Sequence, residues 1–204
     1  MRLDTSAEYF DQNHNVQHAS QGDIFDSLPF VWAQPSAPEL EPRGQRKRGM
    51  LAAKYSVPAA PVYDGMLLNY TCSFVAQPPG TPDYAHDSRL VAPIVPLRSL
   101  RDFKVSPGEM RRVRDSGGTN GIMYLPAVRD DLVDDEWNGH AAVCLYRATA
   151  VTQGLLDVSG RLARLSESAQ RILMARLVEQ LGGYLPDPFH PDFPTPDRSD
   201  SWTP

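Results

Sequence analysis

Up to Val151 the apolar residues of this chain come in short runs separated by Pro, Gly and acidic clusters; beyond it they fall into a helical repeat. Residues 1–20 are polar, rich in Asn, Gln and His, and read as an arm, with the fold beginning at Gln21. After the turn pair Gly22-Asp23, the residues Ile24, Phe25, Leu28, Phe30, Val31 and Trp32 predict a first, interrupted strand. Residues 34–48 carry three prolines without periodicity and predict an exposed loop, followed by a short strand in Met50–Val57. Met66–Val75 (MLLNYTCSFV) is dense in β formers, follows the turn signal Asp64-Gly65 and predicts a central strand. Arg89–Leu97 (RLVAPIVPL) predicts a strand that is bent or at an edge, because Pro93 and Pro96 cannot donate ladder hydrogen bonds.

Arg98–Arg114 fits a short helix or a strand pair, and the glycines of Asp115–Gly121 (DSGGTNG) fit a tight reversal. Ile122–Val128 and Ala141–Val151 predict two more strands, and Asp157–Leu165 leads to a helix over 166–181. Ser166 is its N-cap and Glu167 sits where the helix dipole favours an acid. Ala169, Ile172, Leu173, Leu177 and Leu181 form its apolar side, and Gly182-Gly183 ends it. Six prolines in residues 185–204 predict a Pro/Asp-rich tail outside the core. The expected organisation is an arm over 1–20, one mainly β (α+β) domain over 21–184 with a single C-terminal amphipathic helix, and a tail over 185–204.

Composition narrows the function classes. With 204 residues, 41% of them apolar, the chain suits one globular core, and 19 prolines exclude a helical bundle. No apolar run reaches the length of a membrane span and no secretory pattern opens the chain, so a cytoplasmic protein with no membrane partner is expected. Cys72 and Cys144 lie in apolar runs without a C-x-x-C companion and predict buried thiols. The net charge of −5 opposes broad adhesion to nucleic acid. Eleven of the 20 basic residues nonetheless lie in Arg43–Lys54 and Arg98–Arg114, which can form one positive face or two solvated loops.

Each motif with chemical potential has a simpler explanation beside it. Asp115-Ser116-Gly117-Gly118 matches the nucleophile segment of trypsin-like proteases, but Arg114 stands where that motif has glycine and no Ala-Ala-His-Cys accompanies it. His14 and His18 have metal-site spacing in a polar arm without a neighbouring Glu, and read as a surface pair. Asp130, Asp131, Asp134, Asp135 and Glu136 lack the alternating ligands and glycine of a calcium loop. There is no P-loop, no G-x-G-x-x-G and no G-x-S-x-G, so no cofactor or metal is expected.

Four features in order carry a family resemblance: Gly22-Asp23-Ile24, the glycine-led strand Gly65–Asn69, the L-V-A-P-I of Leu90–Ile94, and a closing R-L-x-R-L-S helix of Arg161–Leu181. Together they resemble the PemK/MazF-like superfamily of bacterial toxins over Gly22–Gly183. The resemblance implies an SH3-like small β-barrel with long loop insertions, which in active members dimerises and cuts single-stranded RNA without a metal. Such nucleases place an Arg just before the second strand and a Thr or Ser just after the A-P-I strand. Here Asp64 precedes Gly65 and Val95-Pro96 follow Ile94, so the hydroxyl position is lost and a phosphate-contacting arginine must come from Arg46, Arg48 or Arg98.

Two functions are therefore expected in order. The first is a non-catalytic bacterial or phage interaction module that binds a protein partner through arm and tail. The second is an endoribonuclease toxin of a toxin-antitoxin or defence system, with single-stranded RNA and a homodimer as possible partners, using Arg46, Arg48 or Arg98 for phosphate contact.

Overall fold

Antiparallel pairing of the short apolar runs builds one eight-stranded sheet. In this computed structural model the described residues are 2–3, 6–11, 19–30, 34–35, 55–56, 61–69, 88–119, 121–126, 140–182 and 186–193. The strands are β1 (Asp23–Pro29), β2 (Gln34–Pro35), β3 (Tyr55–Ser56), β4 (Val62–Leu67), β5 (Ser88–Pro96), β6 (Gly118–Thr119), β7 (Ile122–Pro126), β8 (His140–Cys144), β9 (Thr149–Thr152) and β10 (Arg161–Arg164). The helices are α1 (Ser6–Tyr9), α2 (Pro107–Ser116), α3 (Gln153–Val158) and α4 (Glu167–Gly182), with 3₁₀ segments at Leu97–Phe103 and Leu145–Arg147. The sheet order is β10-β1-β4-β5-β8-β7-β6, with β9 also on β5, while β2 and β3 pair separately. The fold is thus mixed α+β around an antiparallel sheet, and among the described residues that sheet is open, ending at β10 and β6.

β5 is the axis of the sheet, paired on both sides, so of the two expectations for Arg89–Leu97, bent or at an edge, the edge position does not hold. One side pairs with β4, from Asp64↔Ile94 to Leu67↔Val91. The other side pairs with β9 through Val91↔Thr149 and with β8 from Ile94↔Val143 onward, leaving Ala92 and Pro93 without a partner there. Proline is tolerated in a central strand because its missing N–H falls in this gap. The gap also explains why the expected strand Ala141–Val151 is broken: between β8 and β9 the chain turns through the 3₁₀ segment Leu145–Arg147. Two cores result. Ile94, Val95, Met110, Met123, Val143 and Leu173 belong to the larger one, and Phe25, Leu28, Phe30, Leu67, Val91, Val151 and Leu156 form the smaller.

Asp64-Gly65 is not a turn but the middle of β4. A Cβ at Gly65 would lie 2.5 Å from Leu28 Cδ1 and 3.3 Å from the Phe30 ring, so a side chain there must displace Leu28, and the glycine serves close approach and not reversal. Of the expected strand Met66–Val75, Met66 and Leu67 close β4 and residues 70–75 lie outside the described residues. The sequence also hid β10, because its alternation R-L-A-R buries an arginine. Asp23, fully buried at the start of β1, accepts from Arg164 Nε (2.7 Å), Arg164 Nη2 (3.1 Å), Arg161 Nη1 (3.1 Å) and the Ser20 backbone N–H (2.9 Å). The paired arginine can face inward, which hydrophobic patterning does not anticipate.

Both chain ends contribute more than expected. Tyr9 of the expected arm is buried, stacks edge-on against Tyr124 at 5.7 Å, and its carbonyl accepts from the Ser166 N–H. Asp11 N donates to Arg164 O, which extends the β10 edge. Ser166 caps α4 as expected, accepting from Ala169 N at 3.2 Å. Ala169, Ile172 and Leu173 are buried, whereas Leu181 is 88% exposed; Met174, Ala175 and Arg176 are buried as well, so α4 is covered on more than one side. In the expected tail, Pro188 is buried and its carbonyl accepts from Arg171 Nη1. No helix among the described residues is long and apolar enough to cross a membrane.

Asp23→Asn keeps the shape but strips the charge that Arg164 and Arg161 neutralise. We expect a loss of about 3 kcal/mol in urea unfolding, since breaking one partner of a buried pair leaves the other uncompensated. A change under about 1 kcal/mol would show that solvent or relaxation already satisfies these arginines.

Candidate functional site

The segment Leu97–Phe103 follows a repeat of three. In a 3₁₀ helix residues i and i+3 lie in one row, about 6 Å apart along the axis. LRSLRDFK therefore sorts itself into rows: Leu97, Leu100 and Phe103 turn toward the core, while Arg98, Arg101 and Lys104 are all exposed. Ser99, Asp102 and Val105 make the third row. This matched period accounts for a seven-residue 3₁₀ helix, longer than such helices usually run. It ends at Lys104 in the left-handed region (φ 62°), where the Lys104 N–H donates to Arg101 O at 2.9 Å and Val105 N to Leu100 O at 3.1 Å. A lysine in place of the glycine usual at such a cap is a local cost.

Immediately after, Ser106 and Glu109 start α2 with a capping box. Ser106 Oγ accepts from Glu109 N (3.3 Å), while Glu109 Oε2 accepts from the Ser106 backbone N–H (3.0 Å) and hydroxyl (2.7 Å). These bonds, the hydroxyl's first, hold the Glu109 carboxyl below its ordinary pKa. Glu109 thus remains a carboxylate with its bonds to Ser106 on one oxygen.

Beside Lys104 opens a cleft of about 250 Å³. Its walls include Phe103 and Tyr146, its apolar floor Val105 and Ile122, and its polar groups Lys104, Glu109 and Thr119. Tyr146 stands in the 3₁₀ turn forced by the β5 gap, anchored where Leu145 N donates to Gly121 O at 2.8 Å. Its ring is 37% exposed. The Arg147 guanidinium lies 5.6 Å from the Phe103 ring centre and 5.7 Å from that of Tyr146, adding positive field to both aromatic faces. Burial, reinforced by Cys144, pushes the Tyr146 phenol up to about 12, so it stays a neutral hydroxyl. Burial likewise pushes the Cys144 thiol up to about 12, which makes it a poor nucleophile.

A second polar cluster serves the N-terminal segment. Tyr124 Oη and His140 Nδ1 are 2.7 Å apart, and Arg2 donates to that same phenol (3.3 Å) and to Arg114 O (2.8 Å) while lying 4.5 Å over the Tyr124 ring. A cation at the last turn of α2 is electrostatically favourable. This cluster ties residues 2–3 to α2 and β7.

Of the residues singled out in the sequence, Arg98 opens the cationic row, whereas Arg46 and Arg48 lie outside the described residues. The position after A-P-I is Val95, fully buried in β5, so the hydroxyl of the nuclease pattern has no counterpart there. Asp115-Ser116-Gly117-Gly118 spans the end of α2 and the first residue of β6: Ser116 Oγ donates to Arg112 O (2.6 Å), Asp115 pairs with Arg114 (2.8 Å), and Gly117 is the left-handed cap (φ 78°). His14, His18, Cys72 and the acidic residues 130–136 lie outside the described residues, and no metal-holding group of His, Cys, Asp and Glu occurs among the described ones. Arg101 and Lys104 lie in the basic segment Arg98–Arg114, and the three-residue period of LRSLRDFK is the signal that aligns them with Arg98. Tyr146 and Arg147 were concealed inside an apparent strand.

Lys104→Gly separates the two roles of that position. Relieving the left-handed lysine should stabilise the fold by about 1 kcal/mol in thermal or urea unfolding. Unchanged or lower stability would mean that the lysine side chain makes up for its backbone cost by packing.

No protein family, curated protein or solved structure matches this chain, and its function must be argued from its own geometry.

Proposed function

We propose that this protein is a non-catalytic module that binds single-stranded RNA on a PemK/MazF-like, SH3-like barrel. The observation that carries this reading is the exposed row Arg98, Arg101 and Lys104, which runs about 12 Å toward a cleft with aromatic walls. A row of cations meets successive phosphates, and the partly exposed Tyr146 ring beside it favours a strand whose bases are unpaired and free to stack. The net charge of −5 limits binding to such a local face. The barrel is supported by β1, β4, β5 and β9, which line the smaller core together with α3, the helix joining β9 to β10. Binding without cleavage is supported by the burial of Val95 at the family's hydroxyl position.

Replacing Arg98, Arg101 and Lys104 together by Gln should weaken binding of a labelled single strand and lower the slope of log K against log salt by about 2. An unchanged slope would remove the row from the interface. Strand cutting by the purified protein would restore the nuclease reading.

The protein-partner reading keeps one supporting observation: Leu181 at the end of α4 and Phe189 in the segment after it are 88% and 43% exposed. Removing residues 185–204 should then abolish capture of a partner without altering RNA affinity. Intact capture would take the tail out of that reading.

A further inference from the structure

We propose that the cleft beside Lys104 takes one base of the bound strand out of its stack and favours bases bearing an exocyclic amino group over uracil. The inference rests on the RNA-binding reading and adds to it a pocket and a preference. Its size is the first argument: about 250 Å³ is below the range of pockets that enclose drug-sized ligands, and suits a single planar ring system. Its chemistry is the second. Phe103, partly buried against the core, lines it with Val105 and Ile122, and Tyr146, 37% exposed, supplies an aromatic ring on which a base can stack. Arg147, close to both rings, adds the cationic contribution that strengthens base stacking in such sites.

Position is the third argument, because Lys104 belongs both to the cationic row and to the cleft wall. A strand whose phosphates follow Arg98 and Arg101 therefore arrives with a base at the cleft. The polar groups then select. Glu109 is held ionised, and its bonds to Ser106 both fall on Oε2, which leaves Oε1 to accept from an amino group such as cytosine N4 or adenine N6. Uracil presents carbonyl oxygens at the corresponding edge and would oppose that oxygen. No bond is made or broken in this step; the base is exchanged from stacking in solution to stacking on protein.

The test uses the full chain and three short fluorescent strands, oligocytidine, oligouridine and an abasic ribose-phosphate chain, in anisotropy titrations at about 0.1 M salt. Oligocytidine should bind about tenfold more tightly than the abasic chain, and oligouridine in between. Tyr146→Ala, with its fold checked by urea unfolding because the phenol is partly buried beside Cys144, should erase the advantage of base-bearing strands. Glu109→Gln, which retains the capping box, should erase the cytosine-over-uracil difference alone. If all three strands bind equally, and equally to Tyr146→Ala, while the Arg98/Arg101/Lys104 variant binds none of them, the RNA reading stands and the pocket is refuted. If no strand binds and cytidine monophosphate leaves the Tyr146 ring resonances unmoved, both fail. Cytidine monophosphate shifting those resonances without strand binding would keep the pocket and overturn the RNA reading.

Discussion

One side of β5 cannot be paired along its whole length, and much of the structure follows from that. Pro93 has no N–H to offer, and the chain that runs along this edge answers with a 3₁₀ turn between β8 and β9. A continuous strand there would leave a ladder hydrogen bond unmade in the middle of the sheet. The turn divides the side chains into two cores, one beneath β7, β8 and α4 and one lined by β1, β4 and β9. It also lifts Tyr146 and Arg147 out of the sheet and sets them across from Phe103. The candidate site is thus a by-product of how a proline is accommodated in a central strand.

The opposite border of the sheet is held by charge. Asp23 sits at zero exposure with three guanidinium hydrogen bonds and a backbone N–H upon it, and through them β1, β10 and the turn before β1 are locked in register. Such a cluster specifies one arrangement more sharply than apolar packing does, because any slip strands a buried charge. Tyr9 and Asp11 reinforce the arrangement from outside: Tyr9 enters the larger core and Asp11 bonds to the Arg164 end of the β10 edge. That end of the edge is thus occupied by the chain itself.

Charge at the surface is distributed with a different logic. The protein as a whole is acidic, yet one short helix aligns three cations and ends in a lysine held in the left-handed region. Glycine would serve that backbone better. Retaining the lysine fits a position where a cation at the mouth of the cleft matters more than the small gain in stability. Aspartates and glutamates elsewhere keep the remaining surface unattractive to polyanions, so recognition depends on local geometry.

Short-range information is what the sequence carried well. The bulged first strand, the end of α4 at Gly182, the Ser166 cap and the strand at Ile122–Pro126 are all set by neighbours within a few residues, and each was legible. The cationic row was legible in principle, since a period of three is itself local, although only Arg98 was singled out. What escaped were features whose cause lies far along the chain. Gly65 resembles a turn until Leu28 is seen pressing on it, Arg164 resembles a surface residue until Asp23 is found 141 positions away, and Tyr9 resembles part of a polar arm until Tyr124 supplies its partner. Periodicity reports which side of an element is apolar, but the occupant of the facing side is chosen only when distant segments pack, and that choice decided the sheet, the cores and the cleft.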